Sequence, residues 1–323
     1  MNILIDIEHP ACLNFYINSI KILLNQGHKV SVVYLNRGNL GSIVKKELSN
    51  FNIPIKCIGK HYKVKIGKYL GIIQRSFLLY AYMRKKNFDV VTSFGFYIGI
   101  PARFMHIPSI LFHDDYEYTK LFKIIRKFAT KFIIPKSIPA KGKNIFKEYD
   151  FKELAYLHPK YFKPNKDVLK KYGLKPKKYV FVREVADYSI NYDGINTSVK
   201  DIIKEIKNLK IVLSLEDKSQ KKLYENDCII LEEPVDNFYS LIYYAKFVVS
   251  SGDSITREAA LLGVKALYTG QRKMAVNKSL EDAGLIVVSK NLSEFEKVKS
   301  KPLAKNYIDT TKVIVDNLNR YEA

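Results

Sequence analysis

The most informative chemical residues lie in the segment 233–263, EPVDNFYSLIYYAKFVVSSGDSITREAALLG. An apolar run of strand length ends in the small residues 250–252, Ser-Ser-Gly, and a helix is predicted from Ser254 onward. Small residues let the backbone approach a ligand, and a helix N-terminus favours a diphosphate through its open amides and positive dipole end. Glu258, about one turn into the helix, is a carboxylate that can accept both hydroxyls of a ribose. By spacing alone, an ordinary first-turn glutamate is the alternative.

A second chemical group follows the first apolar run, in the sequence Asp-Ile-Glu-His-Pro at 6–10. The run Asn2–Ile7 is a predicted strand and a helix follows it, so His9 is expected at a strand's carboxyl end, where parallel sheets bind ligands. An imidazole titrates near neutral pH and can deprotonate an attacking hydroxyl, which makes His9 a candidate base. Capping of the helix by His9 is the alternative interpretation.

Three carboxylates and a histidine follow the predicted strand 108–112, in the sequence His-Asp-Asp-Tyr-Glu at 113–117. Crowded like charges raise the pKa of one carboxylate, so Asp115 or Glu117 is expected to be an acid/base or acceptor-binding group. Two alternatives stay open. These side chains could hold a divalent ion, or Asp114 or Asp115 could cap a helix predicted to begin near Tyr118.

Two further strand ends carry candidates of lower specificity. Arg183 ends an apolar run and could clamp a diphosphate through its guanidinium, with a salt bridge to Glu184 or Asp187 as the competing explanation. The sequence Ser-Phe-Gly at 93–95 is expected to be an ordinary strand-to-helix turn in which Gly95 permits close approach.

The elements that position these residues alternate between strand and helix patterns in both halves of the chain. Strands separated by helices imply right-handed crossovers and parallel sheets. The fold class is therefore α/β, with two Rossmann-like parallel-sheet domains whose ligand sites face each other across a cleft. The predicted strands are 2–7, 29–35, 53–58, 90–93 and 108–112 in the first half, and 179–183, 211–215, 229–231, 247–250 and 266–268 in the second.

The domain boundary is expected where prolines interrupt the periodicity, in HPKYFKP at 158–164. A chain of 323 residues fits two domains of about 150 residues each. We assign 1–160 to an acceptor-side domain and 161–305 to a nucleotide-sugar-binding domain. Residues 306–323 are predicted to form a helix that packs back on the first domain.

Cysteine usage and the N-terminus favour a cytoplasmic protein. Cys12, Cys57 and Cys228 have no metal-ligand spacing, and such a dispersed, odd set is typical of a reducing compartment. The first residues form a predicted strand and lack the features of a signal peptide. The apolar stretch 69–83 is too short to span a bilayer and is interrupted by Arg75.

The net charge of +22 belongs mainly to the N-terminal half, because residues 1–160 contain 26 Lys/Arg and 10 Asp/Glu. Such an excess favours an anionic partner, namely a membrane surface, a lipid phosphate or nucleic acid. Residues 56–86 mix Lys and Arg, Arg75 among them, with aromatic residues such as Phe77, and 120–136 is a second basic run. We expect this basic region to attach the protein peripherally to the inner face of the plasma membrane. A core helix with a solvated basic face is the alternative.

The segment 233–263 resembles the nucleotide-sugar half of GT-B glycosyltransferases. It is similar to that region in the lipid-II-forming N-acetylglucosaminyltransferase and in the non-hydrolysing UDP-N-acetylglucosamine 2-epimerases. The whole chain resembles domain-of-unknown-function family 354, which is placed with the GT-B enzymes. The matching pieces are LIDIEHPACLNFY, FHDDYEYTK, YLHPKYFKP, FVRE and SSGDSITREAALLG.

The resemblance implies roles for individual residues. Glu258 would bind the ribose, and Val235 would lie beside the base. The amides of Ser251, Gly252 and Asp253 would face the diphosphate, with Ser254 opening the helix. Gln271 and Asn277 fall in the stretch that contacts the sugar. A histidine in the corresponding loop of the lipid-II-forming enzyme supports His9 as base.

The expected function is glycosyl transfer from a nucleotide sugar, a UDP-sugar by first choice, to a lipid-phosphate or glycan acceptor in cell-surface polysaccharide or glycolipid synthesis. The nucleotide sugar is a substrate, and no cofactor or metal ion is expected. The runner-up is a nucleotide-sugar 2-epimerase, although Asp-Ile-Glu-His-Pro stands where epimerases have Gly-Thr-Arg-Pro-Glu. A protein of another class would bind nucleic acid or membrane without catalysis. No nucleic-acid-binding motif or Walker loop supports binding of nucleic acid.

Overall fold

The computed structural model describes residues 1–62, 65–186, 198–232, 234–299 and 307–322. The chain divides into two compact units. Met1–Tyr156 and Ile308–Ala323 form the first unit, and Leu157–Tyr307 forms the second. The division therefore falls slightly before the expected boundary at 160, and the last helix belongs to the first unit.

The first unit is built on a seven-stranded parallel sheet with the order β3-β2-β1-β4-β5-β6-β7. Its inner strands are almost continuously apolar, because helices cover both faces of a parallel sheet. The strands are β1 Asn2–Ile7, β2 Lys29–Asn36, β3 Ile55–Lys60, β4 Val90–Ser93, β5 Ser109–Phe112, β6 Lys131–Pro135 and β7 Ile145–Tyr149. The helices between and after them are α1 Pro10–Asn25, α2 Leu40–Glu47, α3 Lys65–Met83, α4 Gly99–Phe104, α5 Thr119–Ile125 and α6 Leu154–Leu157.

The second unit contains a six-stranded parallel sheet with the order β10-β9-β8-β11-β12-β13. Its strands are β8 Tyr179–Glu184, β9 Lys210–Leu215, β10 Ile229–Ile230, β11 Phe247–Ser250, β12 Ala266–Tyr268 and β13 Ile286–Val288. Its helices are α7 Val168–Lys171, α8 Lys200–Glu205, α9 Phe238–Tyr244, α10 Asp253–Leu261 and α11 Ala275–Asp282. Helix α12, Thr310–Asn319, returns to the first unit and packs on α1.

These two parallel sheets with alternating helices confirm the predicted fold class. Each predicted strand exists in the described chain, with ends shifted by at most a few residues. The sequence missed β6, β7 and β13 and the helices α6, α7 and α11. β6 lies in the lysine-rich run 120–136. β7, the last strand of the sheet, has the sequence IFKEY with two charged residues and exposed side chains, as is usual at a sheet edge.

The basic run 120–136 is not entirely a surface feature, which corrects one expectation. Lys131 begins β6 and is buried, with its ammonium 2.6 Å from the Glu148 carboxylate on β7. It also bonds to the side chain of Asn317 on α12. A buried lysine needs such partners, so Lys131 serves to attach the last helix to the sheet edge.

An aromatic cluster forms the core of the first unit below the carboxyl ends of β4 and β5. The ring of Phe15 on α1 lies 4.8 Å from the ring of Phe94 and 5.1 Å from that of Phe112. The Tyr16 hydroxyl bonds to Thr92 on β4 over 2.8 Å. Edge-to-face rings of this kind fix the loops above them more firmly than aliphatic contacts alone.

Arg75 was expected on a basic helix surface, and the structure corrects this. The side chain is 1% exposed, and its Nη1 and Nη2 donate to the two carboxylate oxygens of Asp6 over 3.0 and 2.5 Å. Its Nε donates to the carbonyl of Ile58 on β3 over 2.9 Å. Gly59 has φ +77° and leaves no room for a Cβ beside Arg75. One guanidinium thus ties α3 to β1 and β3.

In the part of the chain that the structure describes, no helix is long and apolar enough to cross a membrane. All three cysteines are free thiols, and burial raises the pKa of Cys12 to about 12.

Replacement of Arg75 by methionine should lower the free energy of unfolding by about 3–5 kcal/mol, because Asp6 would be left buried without its partner. Urea unfolding followed by circular dichroism measures this difference. Arg84→Ala is the matched control, since Arg84 is exposed just after the same helix. A loss of about 0.5 kcal/mol or less is expected there. Equal stability of the two variants would refute a structural role for the ion pair.

Candidate functional site

Each sheet has one point where the strand order reverses direction, and parallel sheets bind ligands just beyond the carboxyl ends of the strands there. In the first unit that point lies between β1 and β4, and in the second between β8 and β11. Ligand-binding groups are therefore expected in the loops that follow these four strands.

Glu8, directly after β1, spans the reversal point of the first sheet. Its Oε1 accepts hydrogen bonds from the amides of Phe96 and Tyr97 over 2.9 and 3.3 Å, and from the Ser93 hydroxyl over 3.4 Å. A Cβ at Gly95 would collide with the carboxyl group, so only glycine allows this approach. Oε2 makes no hydrogen bond with any described residue.

The electrostatic surroundings of Glu8 suit proton transfer near neutral pH. Burial raises the pKa of Glu8 to about 7, and the negative charge of Asp6 adds to the rise. Arg75 and the two loop amides act in the opposite direction. A half-buried carboxyl group with one oxygen anchored and a pKa near 7 can take up or release a proton through the other oxygen.

His9 lies at the N-terminus of α1 and caps it. Its Nδ1 accepts a hydrogen bond from the Ala11 amide over 3.2 Å, and the side chain is exposed. The structure thus contains the capping interaction that the sequence offered as an alternative. The role of His9 as a base stays a prediction.

The loop 113–117 is arranged around a buried ion pair. The carboxylate of Asp114 lies 2.9 Å from the Lys152 ammonium, and burial lowers the pKa of His113. Helix α5 has no side-chain cap, so the alternative of capping by Asp114 or Asp115 is not observed. Among the described residues, no three His, Cys, Asp or Glu side chains converge to hold a metal ion. Asp115 and Glu117 are partly exposed and stay candidates.

The turn after β11 uses some of the amides that were expected to face a ligand. The Ser251 amide donates to the carbonyl of Arg183 over 3.0 Å, and the Gly252 amide donates to the Ser250 hydroxyl over 3.0 Å. Neither amide is therefore open, which corrects the prediction for Ser251 and Gly252. The amides of Ser254 and Ile255, in the first turn of α10, donate to no described residue.

A buried network holds the start of α10 against β12 and α11. The Asp253 carboxylate accepts hydrogen bonds from the Tyr268 hydroxyl over 2.7 Å and from the side-chain amide of Asn277 over 3.0 Å. It also lies 2.5 Å from the Arg272 guanidinium. Asn277 bonds in turn to Arg257 over 3.0 Å. Asn277 is 4% exposed and takes part in this network, and its contact with a sugar stays a prediction.

The other predicted donor-site residues lie at the carboxyl edge of the second sheet or on α10. Glu258 is buried on α10, five residues after its first residue. Val235 is half-buried in the loop between β10 and α9, and Gln271 is exposed after β12. These placements agree with a ligand site at this edge, while the individual roles stay predictions.

Arg183, at the end of β8, is held by residues that the sequence did not suggest. Its guanidinium donates to the Ser214 hydroxyl over 2.6 Å and lies 3.6 Å from the Glu216 carboxylate, both on or just after β9. The Glu184 carboxylate accepts a hydrogen bond from the Tyr224 hydroxyl. Asp187, the other proposed partner of Arg183, lies outside the described residues, as do Lys63 and Glu233. The role of Arg183 at a diphosphate stays a prediction.

The sequence profile described as "Protein of unknown function (DUF354)" matches residues 1–321. The chain belongs to this family. An uncharacterized protein of Methanocaldococcus jannaschii is 22% identical over 312 residues, which cover 91% of this chain and 89% of the relative.

Two solved structures show the same fold as this DUF354 member. UDP-N-acetylglucosamine 2-epimerase from Rickettsia bellii superposes with a TM-score of 0.73 at 16% identity, covering 99% of this chain and 98% of that one. MurG from Acinetobacter baumannii superposes with a TM-score of 0.58 at 16% identity, covering 99% and 100%. At such identities the likeness establishes the fold, which is GT-B.

Glu8 is the site residue that the sequence analysis missed in this family member. It stands in the motif at 6–10 that was singled out for His9, beside a histidine whose ordinary pKa already suits base chemistry. The signal for Glu8 was Gly95, since a glycine after a neighbouring strand permits a side chain to approach the loop. Only the fold shows that the two loops are adjacent.

Replacement of Glu8 by glutamine should change how stability depends on pH. Folding raises the pKa of Glu8 from 4.5 to about 7, so the folded chain keeps a proton that the unfolded chain loses between these values. The contribution of Glu8 to the free energy of unfolding is therefore greatest below the unfolded-state pKa of 4.5. It falls by roughly 3 kcal/mol or less as pH rises to the folded-state pKa. E8Q lacks this loss and should gain stability relative to wild type between about pH 5 and about pH 8.

Urea midpoints of both proteins at the two pH values measure the effect. Glu47→Gln, at an exposed glutamate of the same unit, is the control and should follow wild type. Parallel pH dependence of E8Q and wild type would show that Glu8 titrates as an ordinary carboxyl group.

Proposed function

We propose that this chain is a nucleotide-sugar enzyme that transfers a glycosyl group to a hydroxyl or phosphate acceptor. The observation that carries the proposal is the junction of β11 and α10. There, small residues are followed by the open amides of Ser254 and Ile255, and Glu258 lies on the same helix. A helix N-terminus with open amides stabilises a diphosphate, and a carboxylate can accept ribose hydroxyls.

The second unit would hold the donor. The Ser254 and Ile255 amides would bind the diphosphate, and the half-buried guanidiniums of Arg183 and Arg272 supply positive charge at the same sheet edge. Val235 would lie beside the base and Gln271 near the sugar. These groups stabilise the negative charge that develops on the diphosphate when the bond from C1 of the sugar breaks.

The first unit would bind the acceptor and remove its proton. We assign this step to Glu8, with His9, Asp115 and Glu117 as further candidates around the same strand ends. Oε2 of ionised Glu8 would take the proton of the acceptor hydroxyl as its oxygen bonds to C1, while the diphosphate leaves with the electron pair of the broken bond. A pKa near 7 keeps both forms of Glu8 available at neutral pH.

A nucleotide-sugar 2-epimerase is the second candidate, and one observation favours it. The TM-score with the Rickettsia bellii epimerase is 0.73, against 0.58 with MurG. An epimerase would change the configuration at C2 of the sugar without any acceptor. A transferase would leave C2 unchanged and release the nucleoside diphosphate only when an acceptor hydroxyl, or water in its place, receives the sugar.

Thermal unfolding of the protein with UDP, GDP, CDP, TDP and CMP tests the donor site. A ligand that binds only the folded state raises the Tm by mass action. We expect a clear rise with one nucleoside diphosphate at millimolar concentration. No rise with any of the five would overturn the proposal.

Glu258→Ala should weaken binding of that nucleotide at least tenfold, about 1.4 kcal/mol, by removing the ribose contact. Isothermal titration calorimetry measures the Kd. Glu258→Gln keeps the buried volume if the alanine variant is unstable, and Glu205→Ala, at an exposed glutamate of the same unit, is the control. Unchanged affinity of both Glu258 variants would remove the residue from the nucleotide site.

Nuclear magnetic resonance of the sugar decides between the two enzymes. The protein is incubated with the nucleotide sugar that binds, first alone and then with a glycan acceptor whose hydroxyl groups are free. A new sugar configuration without acceptor would identify an epimerase. Release of nucleoside diphosphate that depends on the acceptor would support the transferase, and E8Q should slow that release about a hundredfold or more.

A further inference from the structure

A basic cavity opens at the amino edge of the first sheet, away from the candidate active site. Its volume is about 330 Å³, and it lies where the 3-10 helix Arg126–Phe128 precedes β6 and where residues 141–144 precede β7. Glu8, by contrast, follows β1 and lies at the opposite, carboxyl edge of the same sheet. We define the basic cavity by its lining residues Arg126, Lys127, Lys141, Gly142, Lys143 and Asn144.

The walls of the basic cavity are fixed by hydrogen bonds. The Asn144 side-chain amide donates to the carbonyls of Arg126 and Ala129 over 2.7 and 2.9 Å, and so joins the two lining segments. Gly142 lies so close to the Arg126 guanidinium that a Cβ there would collide with it. The backbone of the two lining segments is thus joined by Asn144, and the lack of a side chain at Gly142 leaves room for the Arg126 guanidinium.

The four cations of the cavity have no carboxylate partner among the described residues. Two other lysines of the same region differ, because Lys131 lies 2.6 Å from Glu148 and Lys136 lies 3.9 Å from Asp150. Like charges placed together repel one another, and an anion between them removes that repulsion. Arginine and lysine converging without acidic residues suit a phosphate group.

An apolar face adjoins the cavity. Helix α3 contacts α4, and α4 and α5 both contact the 3-10 helix that lines the cavity. Of the eleven large apolar side chains that are exposed in the described parts of the chain, seven lie on these three helices. We call them the apolar face: Leu70, Ile73, Phe77, Leu78, Phe104, Leu121 and Ile124. Exposed apolar side chains on neighbouring helices, beside cations without carboxylate partners in the described chain, indicate an interaction surface.

We propose that this surface binds an anionic phospholipid bilayer, with a headgroup phosphate in the basic cavity and the apolar face inserted among the acyl chains. The surplus of positive charge favours a negative membrane, and apolar side chains beside it favour the membrane over a soluble anion. The bilayer would contact the α3–α5 side of the unit. The inference does not depend on the proposed enzyme function.

Flotation of the whole protein with lipid vesicles tests the proposal. Binding should be strong with phosphatidylcholine vesicles that contain phosphatidylglycerol, and weak with phosphatidylcholine alone. The double variant Lys141→Glu/Lys143→Glu should lower the partition coefficient by about a hundredfold or more, since each charge at an anionic surface contributes about fivefold. Ile73→Ser/Phe77→Ser should also weaken binding while the cavity charges stay.

Lys21→Glu/Lys45→Glu is the matched control, because it changes the net charge equally at exposed lysines of α1 and α2. It should bind vesicles much more strongly than the cavity variant. Equal loss in both double variants would show attraction by net charge alone and overturn the cavity site. Thermal stabilisation by glycerol phosphate without vesicle binding, or binding to RNA in place of vesicles, would overturn the bilayer as partner.

Discussion

The ion pair between Asp6 and Arg75 is the constraint on which the first unit depends. Two opposite charges are buried together inside an α/β sheet, and such charges are tolerated only when each holds the other. Arg75 also bonds to the backbone of β3, and its guanidinium lies 4.6 Å from the Tyr97 ring centre. One side chain of the long crossover helix therefore fixes that helix, two strands and the loop after β4.

The same pair shapes the chemistry beside it. The carboxylate of Asp6 raises the pKa of Glu8 while Arg75 lowers it, and burial makes the largest contribution. The loop that Arg75 steadies through Tyr97 is the loop whose amides bond to Glu8. Structural and candidate catalytic groups are thus coupled through one cation. Burial and the charge of Asp6 outweigh the effect of that cation and raise the pKa of Glu8 to about 7.

Parallel sheets separate two kinds of surface in this protein. The carboxyl edges hold the groups suited to a reaction, because helix N-termini and strand ends converge there. The amino edge of the first sheet carries cations without carboxylate partners among the residues described, and helices α3, α4 and α5 beside it carry exposed apolar side chains, which together suit attachment. In the second unit, the Ser251 and Gly252 amides of the turn between β11 and α10 donate hydrogen bonds within the protein, and the Asp253 network holds the loops beside that turn. These hydrogen bonds hold the loops in place before any ligand binds.

The sequence by itself determined the fold class and the position of the strand ends, because alternating apolar runs and helical spacing depend on local chemistry and on burial. It also identified the turn before α10 and the Asp-Ile-Glu-His-Pro motif. The tertiary structure alone decided the partners. Arg75 looks like a surface cation until a strand seventy residues earlier offers Asp6, and Ser251 and Gly252 look open until their amides find acceptors. Hydrogen bonds and pKa values depend on residues distant in the chain, so local pattern cannot supply them.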